Sequence, residues 1–587
     1  MEIAFELARE LDRRIREAAS TLDPFDDSFE PMVRPSEPRY GDFQANGVLP
    51  YAKAGKCNPR ELGRALLSAC QASESFPEEQ LTLELAGPGF INIRLQPAFL
   101  LAWLQTFRTD EDFRTSAARL RAGRTIVVDY SSPNTAKQMH VGHVRSTVIG
   151  EAIARLLEFC GADVIRDNHI GDWGTQFGII IYALKNQDVD LEALGDDALP
   201  KVEALYKWGA AQTREKPEAL AAAREELVKL QQGDPQNTRL WESVTRVSWQ
   251  SFAEIYELLN IRFDEVLGES FYRDKVDRVY EELTNAGIAE VSQGALVVFH
   301  PEHPRFCEQP MMLRKRDGAS NYATTDMATA LYRVEEMDAD EFIILTDTRQ
   351  KDHFEQVFLT FRKWMEARKA PVPEMVHITF GSVLGEDGKA IKTRSGEPVL
   401  LKDLLHEGID RARAIVREKN PDLPLEEQEQ IARVVGIEAI RYADLSQNRT
   451  SDYKFQWNKL LSFDGNTAPY LLYAIARIYS ILRKAGRAPG EEEAAATPFE
   501  TEAELALARK LIAFPEALRQ TLGDLRPHFL CTYLYELSVQ FSSFYNADKV
   551  MVDDPQTRAR RLLLCSRTLR VLESGCHLLG MTTLQRM

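Results

Sequence analysis

Hydrophobic spacing changes character several times along the 587 residues. Phe5, Leu7, Ala8, Leu11 and Ile15 recur at helical intervals, so the chain opens on an amphipathic helix, and a Pro-rich loop follows from Pro24 to Pro38. Alternation takes over in Leu81–Leu85 and Phe90–Leu95, which predicts strands and a small α+β unit. From Thr125 short apolar runs alternate with helical patterns. Thr125–Asp129, Ala162–Arg166, Glu341–Leu345 and Val376–Val383 read as buried strands, while Val144, Val148, Ile149, Ala152, Ile153, Leu156, Leu157 and Cys160 form one face of a helix. Strands separated by helices predict a parallel sheet with ligands at the carboxyl ends of its strands. The stretch from about Leu184 to Glu290 is mostly helical, inserted between the halves of that sheet, and after Leu405 nearly everything is helical apart from the loop at Pro489. The expected architecture is α/β multidomain: an N-terminal α+β domain over 1–115, a Rossmann-type parallel-sheet domain over 116–405 with a helical insertion at about 184–290, and an all-α domain over 406–587. No internal repeat is visible.

Composition narrows this picture. Hydrophobic residues at 44% and charged residues at 27% exclude a mostly disordered chain. Apolar runs such as Phe177–Leu184 fall far short of the ~20 residues a membrane-spanning helix needs, so no membrane association is expected. Acids at Glu2 and Glu6 stand where a signal peptide carries lysines. None of the seven cysteines forms a CxxC pair, which argues against a disulfide framework or a zinc knuckle and for a reducing cytoplasm. A net charge of −17 argues against indiscriminate coating of nucleic acid, yet Arg558, Arg560, Arg561, Arg567, Arg570 and Arg586 face the single acid Glu573 between Gln556 and Met587. On composition alone a solvated helix face is the favoured reading of that cluster.

The candidate chemistry sits between Asp129 and His143, where the first strand joins the next helix. Free backbone N–H groups and the helix dipole make that junction an anion site. His140 and His143 stand three apart and can share one side of the helix entrance, and Gly142 between them removes a Cβ where a ring or phosphate must approach. Two imidazoles can donate to oxygens whose charge grows as a phosphate is attacked. An isolated HxxH is more often structural or metal-binding; its place after a strand favours the phosphate reading. The Gly-rich segment Gly385–Gly396 adds Lys389, Lys392 and Arg394, a loop able to close over a triphosphate. Further polar segments lie at strand ends: Asn168–Gln176, Asn321–Asp326 and Thr348–His353. For Asp326 the alternatives are an N-cap or an anion awaiting a cationic ligand.

Taken together, these residues resemble the arginyl-tRNA synthetases, class I aminoacyl-tRNA synthetases, from end to end. The family's variant of the HIGH signature matches Ser132-Pro-Asn-Thr-Ala-Lys-Gln-Met-His-Val-Gly-His-Val-Arg-Ser-Thr147, followed by His169-Ile-Gly-Asp-Trp-Gly-Thr-Gln-Phe-Gly178. Gly41–Asn46 and Ala86–Arg94 look like the N-terminal domain that touches the outer corner of tRNA, and Asp464–Arg477 opens an anticodon-binding domain. The resemblance implies ATP-dependent ligation of L-arginine to its tRNA through arginyl-adenylate, with transfer to the terminal 2′-hydroxyl. It implies that His140, His143, Lys137 and Arg394 are catalytic, and that Pro133, Met139, Gly142, Lys392 and Thr393 join them around ATP. Arginine would meet Asp129, Ser131, Asn134, His143, Tyr322, Asp326 and Gln350. The tRNA would meet Asn46, Phe90, Asn92, Tyr470, Arg477 and Met587. The family's KMSKS loop is replaced here by Ile391-Lys-Thr-Arg-Ser395, so Lys137 is expected to supply the cation missing at Ile391. Implied partners are tRNA for arginine, L-arginine and ATP, with Mg2+ arriving with ATP, no dedicated protein metal site, and a monomeric chain. The family also generally needs bound tRNA to form the adenylate.

Two rivals remain open at this level. A small-molecule nucleotidyltransferase would use a paired-histidine signature but has no use for the helical C-terminal third. A catalytically inactive paralogue that binds tRNA or a protein partner would have lost phosphate-site residues, whereas His140, Gly142, His143 and Arg394 are all present.

Overall fold

Ile126, Val127 and Val128 are wholly buried at the centre of a strand, Thr125–Asp129, because helices cover both faces of the sheet it belongs to. The computed structural model describes residues 3–23, 25–316, 318, 320–392, 397–491 and 495–587. Four parallel strands lie in the order Glu374–Phe380, Glu341–Asp347, Thr125–Asp129, Asp163–Asp167. From the central pair the chain leaves in opposite directions, through the helix Gly142–Phe159 on one side and Lys351–Arg368 on the other. That divergence opens a crevice at the carboxyl ends of the two central strands, where ligands bind in open α/β sheets.

The insertion is built from helices Thr175–Gln187, Ala198–Glu215, Pro217–Gln231 and Pro235–Leu258 around Phe177, Ile181, Val202, Leu205 and Val244. Proline opens the last two helices, and the Asp234 carboxylate caps the latter by accepting from Gln236 and Asn237 N–H. Beyond it comes an antiparallel sheet of Glu290–Ser292, Ala295–Val298 and Met311–Arg314, which the sequence reading did not expect. Its strands are three or four residues long, too short for alternation to register.

The helices Leu401–Lys419 and Leu425–Leu445 belong to the same compact unit, Arg121–Leu461, so the boundary expected at 405 lies inside it. The switch to helix at 405 is real, but these helices bury their apolar faces here. Gly408 and Gly436 let the pair cross closely, since a Cβ on Gly436 would stand 2.6 Å from the Gly408 backbone. The Asp444 carboxylate, wholly buried, pairs at 3.1 Å with Arg145 of the helix Gly142–Phe159.

The other unit joins Met1–Leu120 to Ser462–Met587. Its N-terminal part carries a four-stranded antiparallel sheet ordered Val33–Pro35, Phe43–Ala45, Phe90–Leu95, Leu81–Ala86, and the described elements of its C-terminal part are helices. Arg509 pairs with Asp42 at 2.8 Å, and Phe113 packs on Phe514, fastening the two parts together. The arginine cluster of the last helix, Pro555–Leu578, departs from the solvated face expected of it. Arg560 is buried against Glu500 and Glu504, Arg561 pairs with Glu504 and Asp548, and Arg567 donates to the Leu104 carbonyl at 2.6 Å. Among the described residues no helix is long and apolar enough to cross a membrane.

Candidate active site

The helix Gly142–Phe159 has no cap from its N-cap residue, but its first N–H groups are not left free as the sequence reading expects: Gly142 donates to His140 Nδ1, and His143 donates to the His140 carbonyl at 2.9 Å. The imidazoles of His140 and His143 lie 4.1 Å apart, centroid to centroid. His140 Nδ1 accepts from Gly142 N–H at 3.0 Å, so that ring carries its proton on Nε2 as a donor for a ligand. His143 Nδ1 lies 3.0 Å from the His140 N–H and 3.3 Å from the His140 carbonyl. Burial holds His143 down to about 4, reinforced by the neighbouring His140 and Lys137, and lowers His140 too, with Lys137 adding to the effect and Glu203 opposing it. Both are neutral donors at pH 7. Gly142 is needed for a reason the sequence did not show: a Cβ there would come within 2.8 Å of the His140 ring.

The loop before them is strained and strapped down. Ser131, Ser132 and Ala136 all have positive φ, at 71°, 45° and 65°. Ser131, expected to touch arginine, instead spends its hydroxyl inside the chain, 2.9 Å from Tyr256 Oη and accepting from Thr147 Oγ1 at 3.0 Å. Pro133 accepts from Gly171 N–H at 3.0 Å, and Asn134 packs so tightly on Gly171 that a Cβ there would sit 2.2 Å from its amide oxygen. Met139 is buried, its carbonyl accepting from Leu401 N–H at 2.9 Å while Val141 N–H donates to Val399. Those bonds bring the end of the second loop beside the signature. Lys392 bridges to Pro398 across that loop's base, whereas Thr393 and Arg394 lie outside the described residues.

At the other end of the crevice stands an acidic pocket. The helix Tyr322–Glu335 is capped by Asn321, so Asp326 is no N-cap. One turn beyond the exposed Tyr322, it accepts from or pairs with His353 Nε2 at 2.6 Å. Glu269 joins it, a residue the sequence reading missed. Burial pushes its carboxyl up to about 7, His169 opposing and Asp326 and Asp172 adding to the rise. Gly268 places it there, because a Cβ would lie 2.4 Å from the Asp172 carboxylate, which accepts from Ser270 N and Oγ at 2.8 and 2.6 Å. The sequence signal was faint, a Gly-Glu-Ser tripeptide in a connector. Gln350 is exposed on the turn after the strand Glu341–Asp347.

The Asp129 carboxylate is taken by Arg333, which also meets Asp167 at 2.7 Å, and by Ser132 Oγ at 2.8 Å. Among the described residues no group of three or more His, Cys, Asp or Glu is arranged to hold a metal ion.

The residues expected at tRNA all lie in the other unit. Gln44 donates to Asn92 at 2.7 Å on the sheet face that carries Phe90, and Asn46 follows the strand Phe43–Ala45. Tyr470 rests on Tyr535 at 5.6 Å. Arg477 stacks over Tyr473 at 4.7 Å and Tyr545 at 5.4 Å, a cation–aromatic platform whose two tyrosines are exposed. Neither tyrosine was singled out from the sequence. Half-buried Met587 ends a tail whose Gln585 carbonyl accepts from Arg483 at 3.2 Å.

Three family models match the chain. "tRNA synthetases class I (R), catalytic domain" covers residues 111–457, "DALR anticodon binding domain" covers 471–587, and "Arginyl tRNA synthetase N terminal domain" covers 5–95. An arginine–tRNA ligase from Cellvibrio japonicus is 43% identical over 93% of this chain and 94% of its own. One from Frankia casuarinae is 41% identical over 100% and 98%. Among solved structures, arginyl-tRNA synthetase from Plasmodium falciparum superposes with a TM-score of 0.82 at 27% identity over 99% of both chains. That from Thermus thermophilus gives 0.79 at 25%, over 99% of this chain and all of its own.

Proposed function

Since the chain belongs to the arginyl-tRNA synthetase family and ligates L-arginine to its tRNA at the expense of ATP, we propose the following division of labour for its site. In the first step the arginine carboxylate attacks the α-phosphorus of ATP, the bond to the bridging oxygen breaks, and pyrophosphate leaves with the electron pair. In the second the terminal ribose 2′-hydroxyl attacks the carbonyl carbon of the adenylate, loses its proton, and AMP leaves. The imidazoles of His140 and His143 stabilise phosphate oxygens as charge grows on them. Lys137, Lys392 and Arg394 neutralise the departing pyrophosphate, with Thr393, Pro133 and Met139 lining the nucleotide. Asn134 and Gln350 hold the amino and carboxylate groups of arginine.

The guanidinium is read by Asp326 and Glu269, with Tyr322 alongside, because a planar cation with five donors suits paired carboxylates. Asp129 acts one step away, pinning Arg333 and through it the helix that carries Asp326. Mg2+ enters on the ATP phosphates with its own waters. Outside the site, Asn46, Phe90, Asn92, Tyr470, Arg477 and Met587 contact tRNA, and the chain works as a cytoplasmic monomer.

The observation that carries this reading is the pair of neutral imidazoles, 4.1 Å apart, at the start of the helix that follows the central strand Thr125–Asp129. Arginine-dependent pyrophosphate exchange, run with tRNA, tests it through two variants. Asp326→Asn should raise the arginine KM by roughly 10- to 100-fold and leave the ATP KM near its original value, since a charge-assisted pair is worth about 1.5–3 kcal/mol. His143→Ala should cut kcat about 100-fold with little effect on arginine KM. Equal losses for both substrates in either variant would overturn the division.

A further inference from the structure

The helical insertion reaches into the signature loop at three successive residues. Ala136 is buried in the insertion's own core, its N–H donates to Ser248 Oγ at 2.9 Å, and its backbone is held at φ 65°, where a residue with a Cβ is strained. Ser248 is itself wholly buried and fixed to the Val244 carbonyl at 2.7 Å. At the next position Lys137 Nζ lies 5.7 Å from the centre of the Tyr206 ring, within cation–π range. Gln138 then donates to Glu203 Oε2 at 3.2 Å. Tyr206 and Glu203 lie on one helix, Ala198–Glu215, and Tyr206 packs against the same core that receives Ala136.

We propose that Tyr206 and Glu203 of the insertion are positioning residues for Lys137, holding its ammonium beside His140 at the mouth of the phosphate site. The inference rests on the assignment of Lys137 to the ATP phosphates. An exposed lysine on a free loop spreads its charge over many rotamers, and ordering it on ATP binding costs entropy. Here the strained Ala136 fixes where the side chain starts and the tyrosine ring favours where it ends. The charge of Lys137 is felt by both histidines, which places it close to them. A chain with isoleucine at 391, where the family's loop has lysine, has the most to gain from such ordering. The insertion thus serves the chemical step and not only the outline of the fold.

The test is arginine-dependent pyrophosphate exchange by the full chain with tRNA, comparing Tyr206→Leu, Tyr206→Phe, Glu203→Ala, Lys137→Met and the double variant Tyr206→Leu/Lys137→Met. Tyr206→Leu should lower kcat/KM for ATP by about 2- to 5-fold, the span of an exposed cation–π contact, with arginine KM unchanged. Tyr206→Phe keeps the ring face and should restore it. Glu203→Ala, which leaves the insertion core intact, should show an ATP-selective loss of its own. In the double variant the tyrosine change should add nothing to the loss from Lys137→Met. Wild-type ATP kinetics in both Tyr206→Leu and Glu203→Ala, equal loss in the Leu and Phe variants, or additive losses in the double variant would overturn the proposal while leaving Lys137 in its role. Normal ATP use by Lys137→Met would overturn the assignment of Lys137, and the proposal with it.

Discussion

Glu269 gains the most of any pocket residue from a guanidinium ligand. Burial has pushed its carboxyl to about 7, so in the empty site near neutrality it is partly protonated. Arginine stays charged throughout and favours the ionised carboxylate, so binding below pH 7 must expel a proton. The sign follows: arginine affinity weakens as pH falls through 7, by up to about tenfold per unit while a proton is displaced. His143 does not confuse the measurement, because its pKa near 4 leaves it neutral across the same range. The arginine KM should therefore rise between pH 8 and pH 6, and Glu269→Gln should raise it at pH 8 while flattening the dependence. An unchanged slope in that variant would assign the proton elsewhere. The residue itself was hard to see in the sequence. His140 and His143 announce themselves through a motif, whereas Glu269 becomes special only through its burial and the charge of Asp326, which lies 57 positions further along the chain.

At the scale of elements, the helix Tyr322–Glu335 holds the pocket at its first turns and is pinned to the sheet at its last. Arg333 is buried between Asp129 and Asp167, the final residues of two neighbouring strands. Burial raises Asp167, the Arg333 guanidinium opposes that rise, and the Asp129 charge adds to it. Removing the cation leaves two carboxylates close together with no counter-charge. Arg333→Met should therefore destabilise the sheet-bearing unit by about 3–5 kcal/mol in urea unfolding, far beyond the loss of one exposed ion pair. In the fraction that stays folded, the arginine KM should rise more than the ATP KM, because Asp326 rides on the same helix. This also shows where the sequence was readable. The buried strands and the long amphipathic helices carry their period on their own residues, so Thr125–Asp129 and Gly142–Phe159 were expected almost to the residue. The Asp129–Arg333 pair was not legible, because the two residues stand 204 positions apart and a carboxylate at a strand end looks the same in sequence whether or not its own chain meets it. The sheet from Glu290 to Arg314 escaped notice because three- and four-residue alternations are indistinguishable from chance.

At the scale of the whole molecule, the residues proposed for adenylate chemistry all fall in one compact unit and those proposed for tRNA all fall in the other. Any effect of tRNA on arginine activation is then a coupling free energy between two bodies, typically about 1–3 kcal/mol, and must act by shifting the population of competent active sites. The Ile391–Ser395 loop, with isoleucine where the family has lysine, makes such a shift valuable, since fewer loop cations are at hand to meet a triphosphate. Adenylate formation should accordingly be slow alone and accelerate with tRNA, although tRNA does not react in that step. The electrostatic side of the coupling is modest by construction. Arg560, Arg561 and Arg567 are consumed by internal partners, which removes half of the basic cluster at the C-terminus from phosphate contact. Apparent tRNA affinity should still fall with salt, but with a slope set by few phosphates, and Arg560→Gln should lower stability without changing that slope. The comparison that decides the coupling is arginine-dependent pyrophosphate exchange with no tRNA, with tRNA for arginine, and with that tRNA trimmed of its terminal adenosine. Stimulation that survives trimming would locate the coupling in the body of the tRNA and the unit that grips it. Stimulation that requires the terminal adenosine would locate it in the crevice beside His140, and fast exchange without any tRNA would refute it.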